Sequence, residues 1–245
     1  MKKPIISLFA LVFIYSCTPH DTPITFTDSR DGKVYKTVTI GEQVWFAENL
    51  AYLPSVVGPG TGSEDTGHET DQYYYVYGSY SINAATAIAT ANYRIYGVLY
   101  NWRAALTACP SGWHLPSDAE WTQLETYLSN NGHNYDGSIG GVDVRSKIAK
   151  SMAAVSGWPL SINDGAVGNT DYQTYRNKSG FSALPGGYRN FNGTFYSIGD
   201  LGYWWSSTGS SIDFALCRNQ SYNNCYVSRS NGYKDYGYSV RCVKE

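Results

Sequence analysis

One short segment, Cys109 to Trp121 with the sequence CPSGWHLPSDAEW, contains a thiol, an imidazole and two carboxylates. A cysteine becomes a nucleophile when a base or a positive neighbour populates its thiolate at neutral pH, and His114 is close in sequence. Pro110 and Gly112 turn the chain between the two side chains, which allows them to meet. The segment therefore raises the hypothesis of a Cys109–His114 nucleophile, which the rest of the chain has to support.

Two helices are predicted to flank this segment. The first covers about residues 100–107 on the spacing of its apolar side chains, and Pro110 ends it. The second begins with a capping box, in which the Ser117 hydroxyl caps the N3 amide and Glu120 returns to the N-cap amide. Ser117 and Glu120 thus have a structural explanation, and His114 is left without an assigned role.

The remaining sequence predicts strands at both ends of the chain. Residues 34–40 alternate apolar and polar side chains after the Asp31-Gly32 turn, and residues 43–47 follow a second turn. A weaker helical pattern covers residues 143–153. Further strands are expected at residues 181–184, 194–197, 203–208, 213–216, 226–228 and 238–243. Helices in the middle and strands at both ends indicate an α+β domain.

The first residues predict export. Lys2 and Lys3 form a positive region, and residues 5–16 are an apolar stretch too short to span a bilayer. Cys17 follows at once, and this order resembles a bacterial lipoprotein signal, in which the cysteine after the cleavage point receives lipid. An ordinary cleaved signal with a stray thiol is the alternative.

This interpretation divides the chain into three parts. Residues 1–17 are expected to be a signal peptide with its lipidated Cys17, residues 18–24 a tether, and residues 25–245 a single domain. The protein is then a component of the bacterial cell envelope, anchored by lipid to the outer membrane on its periplasmic or its outer face. The N-terminal lipid is the only expected contact with the membrane.

The composition argues against a nucleic-acid partner. The net charge is -2, and the chain has no basic or acidic run. With 23 Tyr and 7 Trp, the chain instead has the profile of a secreted β-rich or binding protein.

The cysteines argue against the nucleophile hypothesis. Apart from Cys17, the chain has Cys109, Cys217, Cys225 and Cys242, an even number that predicts two disulfides in an exported protein. Four cysteines allow three pairings. Cys109–Cys242 with Cys217–Cys225 is preferred, because the second pair flanks a short polar segment that can turn as a hairpin. An oxidised Cys109 cannot attack a substrate.

A series of motifs resembles the Fibrobacter succinogenes major paralogous domain, a family of exported bacterial proteins, from about residue 25 to the end. The motifs occur in this order: DGKVY at 31–35, IGEQVW at 40–45, AENL at 47–50, YGVLYNW at 96–102, CPSGWHLPSDAEW at 109–121, SGFSALPGG at 179–187, WWSS at 204–207 and SVRC at 239–242. The resemblance implies a C-type-lectin-like fold related to the domain of formylglycine-generating enzymes. Such a fold has two main helices beside a mixed sheet and a long loop-rich half. No particular activity is implied.

Two activities found with this fold type require particular residues, which can be compared with this sequence. An oxidase of the formylglycine-generating type needs two reactive cysteines in its C-terminal half, and the spacing of Cys217 and Cys225 does not reproduce that pattern. Calcium-dependent sugar binding needs converging carboxylate and amide oxygens. The loop residues Asn163, Asp164, Asn169 and Asp171 can supply them, although Asn-Asp-Gly is also an ordinary turn. We therefore expect no cofactor, with calcium at this loop as the alternative.

Tyrosine-rich loops favour recognition over catalysis, because tyrosine supplies contact area with few rotatable bonds. The long excursion at residues 53–92 and the segment 219–236 are the expected contact surfaces. Their candidate contact residues are Tyr73, Tyr74, Tyr75, Tyr77, Tyr222 and Tyr233. The sequence thus predicts a non-enzymatic domain that binds a glycan or a surface protein. A structural or assembly subunit of a surface appendage is the alternative, and an enzyme of the formylglycine-generating type is a distant one.

Overall fold

The computed structural model describes residues 24–62 and 71–245. The signal peptide, Cys17 and residues 18–23 of the tether lie outside these residues. Within the described ranges, no helix combines the length and the apolar character needed to cross a membrane.

The described residues form a mixed α+β fold, as predicted. Its strands are β1 (Thr25–Thr27), β2 (Val34–Ile40), β3 (Gln43–Phe46), β4 (Tyr74–Tyr75), β5 (Leu99–Tyr100), β6 (Trp113–His114), β7 (Gly186–Arg189), β8 (Phe195–Ile198), β9 (Leu201–Gly209), β10 (Phe214–Ser221), β11 (Ser228–Tyr233) and β12 (Val243–Lys244). Its helices are α1 (Ala84–Ile88), α2 (Ala91–Tyr96), α3 (Trp102–Ala108), α4 (Asp118–Asn130) and α5 (Ala149–Met152), with a 3₁₀ turn at Gln173–Tyr175.

The strands form two five-stranded sheets and one two-stranded sheet. The first sheet has the order β1-β2-β3-β12-β6, and the second has the order β11-β10-β9-β7-β8. Strands β4 and β5 pair with each other. Because β12 lies between β3 and β6, the start and the end of the described chain meet in one sheet.

The predicted N-terminal turns and strands are confirmed. Strand β2 pairs with β3 in the register Ile40↔Gln43, which leaves Gly41 and Glu42 as a two-residue turn. Gly41 has a φ of 64°, a left-handed conformation in which glycine carries no steric cost. Gly32, with a φ of 74°, serves the turn between β1 and β2 in the same way.

The two main helices also follow the prediction. Helix α4 begins with the complete capping box of Ser117 and Glu120. The pattern at residues 143–153, however, gives only the single turn of α5. Upstream of it, Asp143 accepts hydrogen bonds from the backbone amide and the guanidinium of Arg145, and such local bonds compete with helix formation.

Three predicted strands are wrong in whole or in part. Residues 181–184 make a single bridge, Ala183 to Ala153. The strand placed at 226–228 begins at Ser228 and continues to Tyr233. Residues 238–242 do not join one ladder, because their backbone groups pair in turn with Tyr100, Tyr203, Leu50 and Phe46 on separate elements.

The core has two parts, which lie on opposite sides of the central strands. In β3 the side chain of Trp45 lies in one core cluster and that of Phe46 in the other. In β9 the neighbouring Trp204 and Trp205 divide in the same way. Successive side chains of a strand point to opposite faces, so these pairs of aromatic residues show strands that are buried on both faces.

Candidate functional site

The residues of the segment from Cys109 to Trp121 have structural roles. Cys109 forms a disulfide with Cys242, at a Cα–Cα distance of 5.8 Å, as the preferred pairing predicted. The ring of Trp113 is buried, with its centroid 4.4 Å from that of Phe46. His114 Nε2 lies 2.6 Å from Glu120 Oε1. Because the sulfur is oxidised, the structure provides no Cys109 thiolate for the nucleophile hypothesis.

Glu120 therefore has two partners. Burial raises the pKa of this carboxyl, but hydrogen bonds from Ser117 and His114 outweigh that effect and hold the pKa below its usual value. The carboxylate is ionised at neutral pH and connects β6 to the N-terminus of α4. His114, which had no assigned role in the sequence, orients this connection.

The predicted Cys217–Cys225 disulfide is wrong. Cys217 lies in β10, where the antiparallel register places Ser230 opposite it, and both Cys217 and Cys225 have free thiols in the described part of the chain. From Cys217 the strand continues to Ser221, a distance of about 13 Å at the usual rise per residue, so the polar segment cannot turn back where the prediction required. Burial raises the pKa of the Cys217 thiol to about 11.

The tyrosines of the long excursion are mostly internal. Tyr74 and Tyr75 form β4 and are buried, so the prediction that they contact a ligand is wrong for these two rings. Arg189 lies over the Tyr75 ring at 4.6 Å and donates to the carbonyls of Pro59 and Thr61. This buried guanidinium attaches the excursion to β7.

Tyr73 and Tyr77 are half-buried. The Tyr73 hydroxyl donates to Asp71 Oδ2 at 3.3 Å, and the Tyr77 ring lies 5.0 Å from that of Phe195 in β8. These four tyrosines thus pack on the body of the protein, whereas Tyr80, in the same excursion, is 78% exposed.

The polar loop at residues 163–171 is organised around a protein cation. The buried ammonium of Lys150 donates to the carbonyls of Asn169 at 2.8 Å and of Asp171 at 2.6 Å, and it forms an ion pair with the Asp171 carboxylate. Asn163 donates to the Asn223 carbonyl, and Asp164 is exposed. Among residues 24–62 and 71–245, no three His, Cys, Asp or Glu side chains converge as metal ligands. Asn169 and Asp171, which were proposed as calcium ligands, therefore bind the Lys150 ammonium group, which argues against calcium at this loop.

The two remaining candidates, Tyr222 and Tyr233, have different environments. Tyr222 packs against the core cluster that contains Trp204, and its carbonyl accepts from Gly168 at 2.6 Å. Tyr233 ends β11 with 41% of its surface exposed. Of these two residues, Tyr233 is the more exposed to solvent.

Tyr233 belongs to a continuous group of rings on the second sheet, which we name the aromatic face. Its members are Tyr188, Phe191, Tyr196, Phe214, Tyr233 and Tyr236. Tyr188 lies 5.6 Å from Tyr196 and 5.9 Å from Tyr236, measured between ring centroids. Tyr233 lies 5.4 Å from Tyr236 and 4.3 Å from Phe214. Three of the rings are exposed: 42% for Phe191, 38% for Tyr196 and 41% for Tyr233.

The aromatic face packs on a buried ring that connects it to the core. Tyr238 is buried beneath it and contacts Tyr188 at 6.0 Å, Tyr236 at 5.7 Å and the core residue Trp205 at 4.3 Å. Tyr188, Phe191, Tyr196 and Phe214 were missed by sequence reasoning, because they come from separate segments that the sheet topology brings together. Tyr233 and Tyr236 lie in the segment 219–236 that the sequence predicted as a contact surface.

A comparison with known protein families shows which family the chain belongs to. The family described as the Fibrobacter succinogenes major domain matches residues 38–244. The chain belongs to this family. The family region runs from within β2 to β12, so it includes both five-stranded sheets apart from β1 and the first residues of β2. The Cys109–Cys242 disulfide and the aromatic face of this Fibrobacter succinogenes major domain both lie inside the matched region. No curated protein and no solved structure matches the chain.

Proposed function

We propose that the protein is a non-enzymatic recognition module of the bacterial cell envelope, and that the aromatic face is its contact surface for a glycan. One observation carries this proposal: three exposed rings, Phe191, Tyr196 and Tyr233, belong to a single network of rings that continues into the core.

The network favours binding because it limits the entropy lost on association. Tyr233 is held between Phe214, at 4.3 Å, and Tyr236, at 5.4 Å, and Phe191 stacks on Tyr236 at 6.1 Å. Side chains that are already fixed before binding lose little rotamer freedom when a ligand arrives. The exposed rings are therefore a pre-organised surface.

The chemistry of the aromatic face favours an uncharged glycan. A pyranose ring presents an apolar face of C–H groups with hydroxyls at its rim, and a platform of phenyl and phenol rings complements both. The six side chains are phenyl and phenol rings without a carboxylate, ammonium or guanidinium group, and burial among neighbouring tyrosines raises the pKa of Tyr236 to about 12. Its hydroxyl remains a neutral donor and acceptor for hydrogen bonds.

We also propose that the fold is C-type-lectin-like, as the family resemblance implies. The pairing of β12 with β3, the disulfide from the end of α3 to residue 242, and the two longer helices α3 and α4 support this proposal. Sugar binding at the aromatic face does not need calcium. In this respect the proposed site differs from the calcium loop considered from the sequence.

The cellular location is proposed from the sequence. Lipid attached to Cys17 and the short tether at residues 18–24 hold the domain at the outer membrane, where a glycan of the envelope or of the surroundings is within range. A stable protein complex at the same surface is the competing function, since an exposed aromatic patch also suits a protein partner.

Co-sedimentation with insoluble polysaccharides tests the proposal. The folded domain is incubated with cellulose, chitin, xylan and mannan, and the bound fraction is measured with and without a chelator. We expect retention on at least one polysaccharide, unchanged by the chelator. No retention on any of them, together with a stoichiometric protein partner captured from the native envelope, would assign the protein to assembly instead.

A further inference from the structure

A cleft of about 300 Å³ lies away from the aromatic face. It is bounded by β2, the residues that follow β3, helix α2 and the loop at 182–184. None of the residues described as lining it belongs to the aromatic face. A volume of this size is at the lower end of the range for small-molecule sites, so it suits a ligand of about one sugar residue.

The rim of this cleft is cationic. Lys33, Lys36 and Arg94 line it, and Glu48 is the one carboxylate among its described lining residues. Lys36 is exposed, and its ammonium group takes part in none of the ion pairs of the described chain. Arg94 Nη2 donates to the carbonyl of Ala89, which places the guanidinium beside the residue that follows α1. Three cations against one anion give the opening a positive potential.

A fourth cation lies directly behind the wall. Arg241 is fully buried, and its Nε donates to Asn49 Oδ1 at 2.9 Å while its Nη2 donates to the Ser182 carbonyl at 2.8 Å. Asn49 and Ser182 both line the cleft. The acceptors of Arg241 in the described chain are carbonyl and amide oxygens, so no carboxylate is bonded to it.

This guanidinium keeps its charge at neutral pH. Burial lowers the pKa of Arg241 to about 9, and the nearby Glu48 opposes that effect. A buried charge without a bonded counter-ion projects its field into the nearest solvent-filled space, because the surrounding protein screens it weakly. The cleft is such a space, because Asn49 and Ser182, two residues that accept hydrogen bonds from Arg241, line it.

The position of Asn49 is fixed. Its side-chain oxygen also accepts from Trp204 Nε1 at 3.0 Å, and its amide nitrogen donates to the Tyr96 carbonyl at 3.0 Å. The wall between Arg241 and the cleft is therefore rigid. The other walls are apolar and come from Val34, Ala47, Ile95, Ala154 and Leu184.

We propose that this cleft binds a small organic anion, with its acidic group at Lys36 and Arg94 and its apolar body against Val34 and Leu184. The acidic group is a carboxylate or a phosphate, which share the negative charge that this rim complements. The site is independent of the aromatic face.

Isothermal titration of the folded domain with D-glucuronate, glucose 6-phosphate, hexanoate and uncharged glucose tests this site. We expect at least one anion to bind with a dissociation constant of about 10 mM or lower. Glucose should bind much more weakly, and the affinity for the anion should fall as salt is added. Comparison of the three anions identifies the acidic group and the need for an apolar body.

Two substitutions should change the affinity for the anion in opposite directions. Lys36→Gln should weaken binding about fivefold, and Glu48→Gln should strengthen it, because each removes one charge from the rim. Lys244→Gln is the matched control, since Lys244 is exposed and does not line the cleft. Circular dichroism confirms that each variant is folded.

Three results would overturn the proposal: no heat from any of the anions with folded protein, equal binding of glucose, or affinities in Lys36→Gln and Glu48→Gln that match the control. Tyr233→Ala should leave the anion affinity unchanged, which separates this result from the test of the aromatic face.

Discussion

His114 Nε2 lies 2.6 Å from Glu120 Oε1, and Glu120 Oε2 accepts hydrogen bonds from the backbone amide of Ser117 at 2.7 Å and from its hydroxyl at 2.8 Å. One carboxylate thus serves the imidazole of β6 and the first turn of α4. Cys109 and His114, which suggested catalysis in the sequence, have separate structural partners: Cys109 is bonded to Cys242, and His114 to the carboxylate that caps α4.

The capping box should contribute measurably to stability. Ser117→Ala removes the side-chain acceptor of the Glu120 amide, so we expect the free energy of unfolding to fall by about 1 kcal/mol. Ser210→Ala is a control at an exposed serine, where a change within about 0.5 kcal/mol is expected. Urea unfolding followed by circular dichroism measures both. Equal effects of the two substitutions would contradict the assigned role of Ser117.

The Cys109–Cys242 disulfide should stabilise the fold more than any single cap. It closes a loop with a sequence separation of 133, for which the chain-entropy model gives about 4 to 5 kcal/mol. The double variant Cys109→Ala/Cys242→Ala should therefore unfold at a much lower urea concentration. Reductant should lower the midpoint of the wild type and leave that of the variant unchanged. A wild-type midpoint that does not respond to reductant, once reduction has been verified by mass, would count against this bond.

The two free thiols should differ in reactivity. Cys225 is partly exposed, whereas Cys217 is buried and has a pKa raised to about 11 by that burial. Iodoacetamide should modify Cys225 in the native protein, and it should modify Cys217 only after unfolding. Peptide mass mapping distinguishes them. A non-reduced peptide that links Cys217 to Cys225 would restore the pairing predicted from the sequence.

Asp171 should be essential to the loop around Lys150. Asp171→Ala leaves the buried ammonium without its carboxylate, so we expect a loss of about 3 kcal/mol in the free energy of unfolding. Asp164→Ala, at an exposed position in the same loop, should change stability little.

Calcium provides a second readout of the same loop. Because an ammonium group already occupies the centre, millimolar calcium should not raise the melting temperature of the wild type. A rise in melting temperature that Asp164→Ala abolishes would show that the loop binds calcium after all.

Local patterns made part of this fold predictable. The alternation in β2, the glycine turns and the capping box of α4 depend on neighbouring residues, so the sequence alone identified them. The segment 238–242 could not be predicted as it is, because its backbone pairs with four elements that are distant in sequence. Cys217 was assigned the wrong partner for a similar reason, since the register of β10 with β11 decides which residue lies opposite.

The candidate sites were still less visible in the sequence. Lys150 is distant from the Asn163 loop in sequence and yet is bonded to it, and Arg241 lies behind the cleft only through tertiary contacts. Phe191, Tyr196 and Tyr233 come from a turn and two strands, which the second sheet places together. Of the six tyrosines named individually from the sequence, Tyr233 belongs to the aromatic face, and Tyr236 at the end of the predicted segment 219–236 joins it there.

The affinity of aromatic-face variants for a polysaccharide that retains the wild type tests the central claim most directly. Binding isotherms are measured for Phe191→Ala, Tyr233→Ala and the control Tyr226→Ala, whose ring is 43% exposed elsewhere on the surface. The account predicts that each aromatic-face variant binds about tenfold more weakly, as for a contact worth ~1.4 kcal/mol, and that the control binds like the wild type. Wild-type affinity in both aromatic-face variants, or an equal loss in Tyr226→Ala, would contradict it.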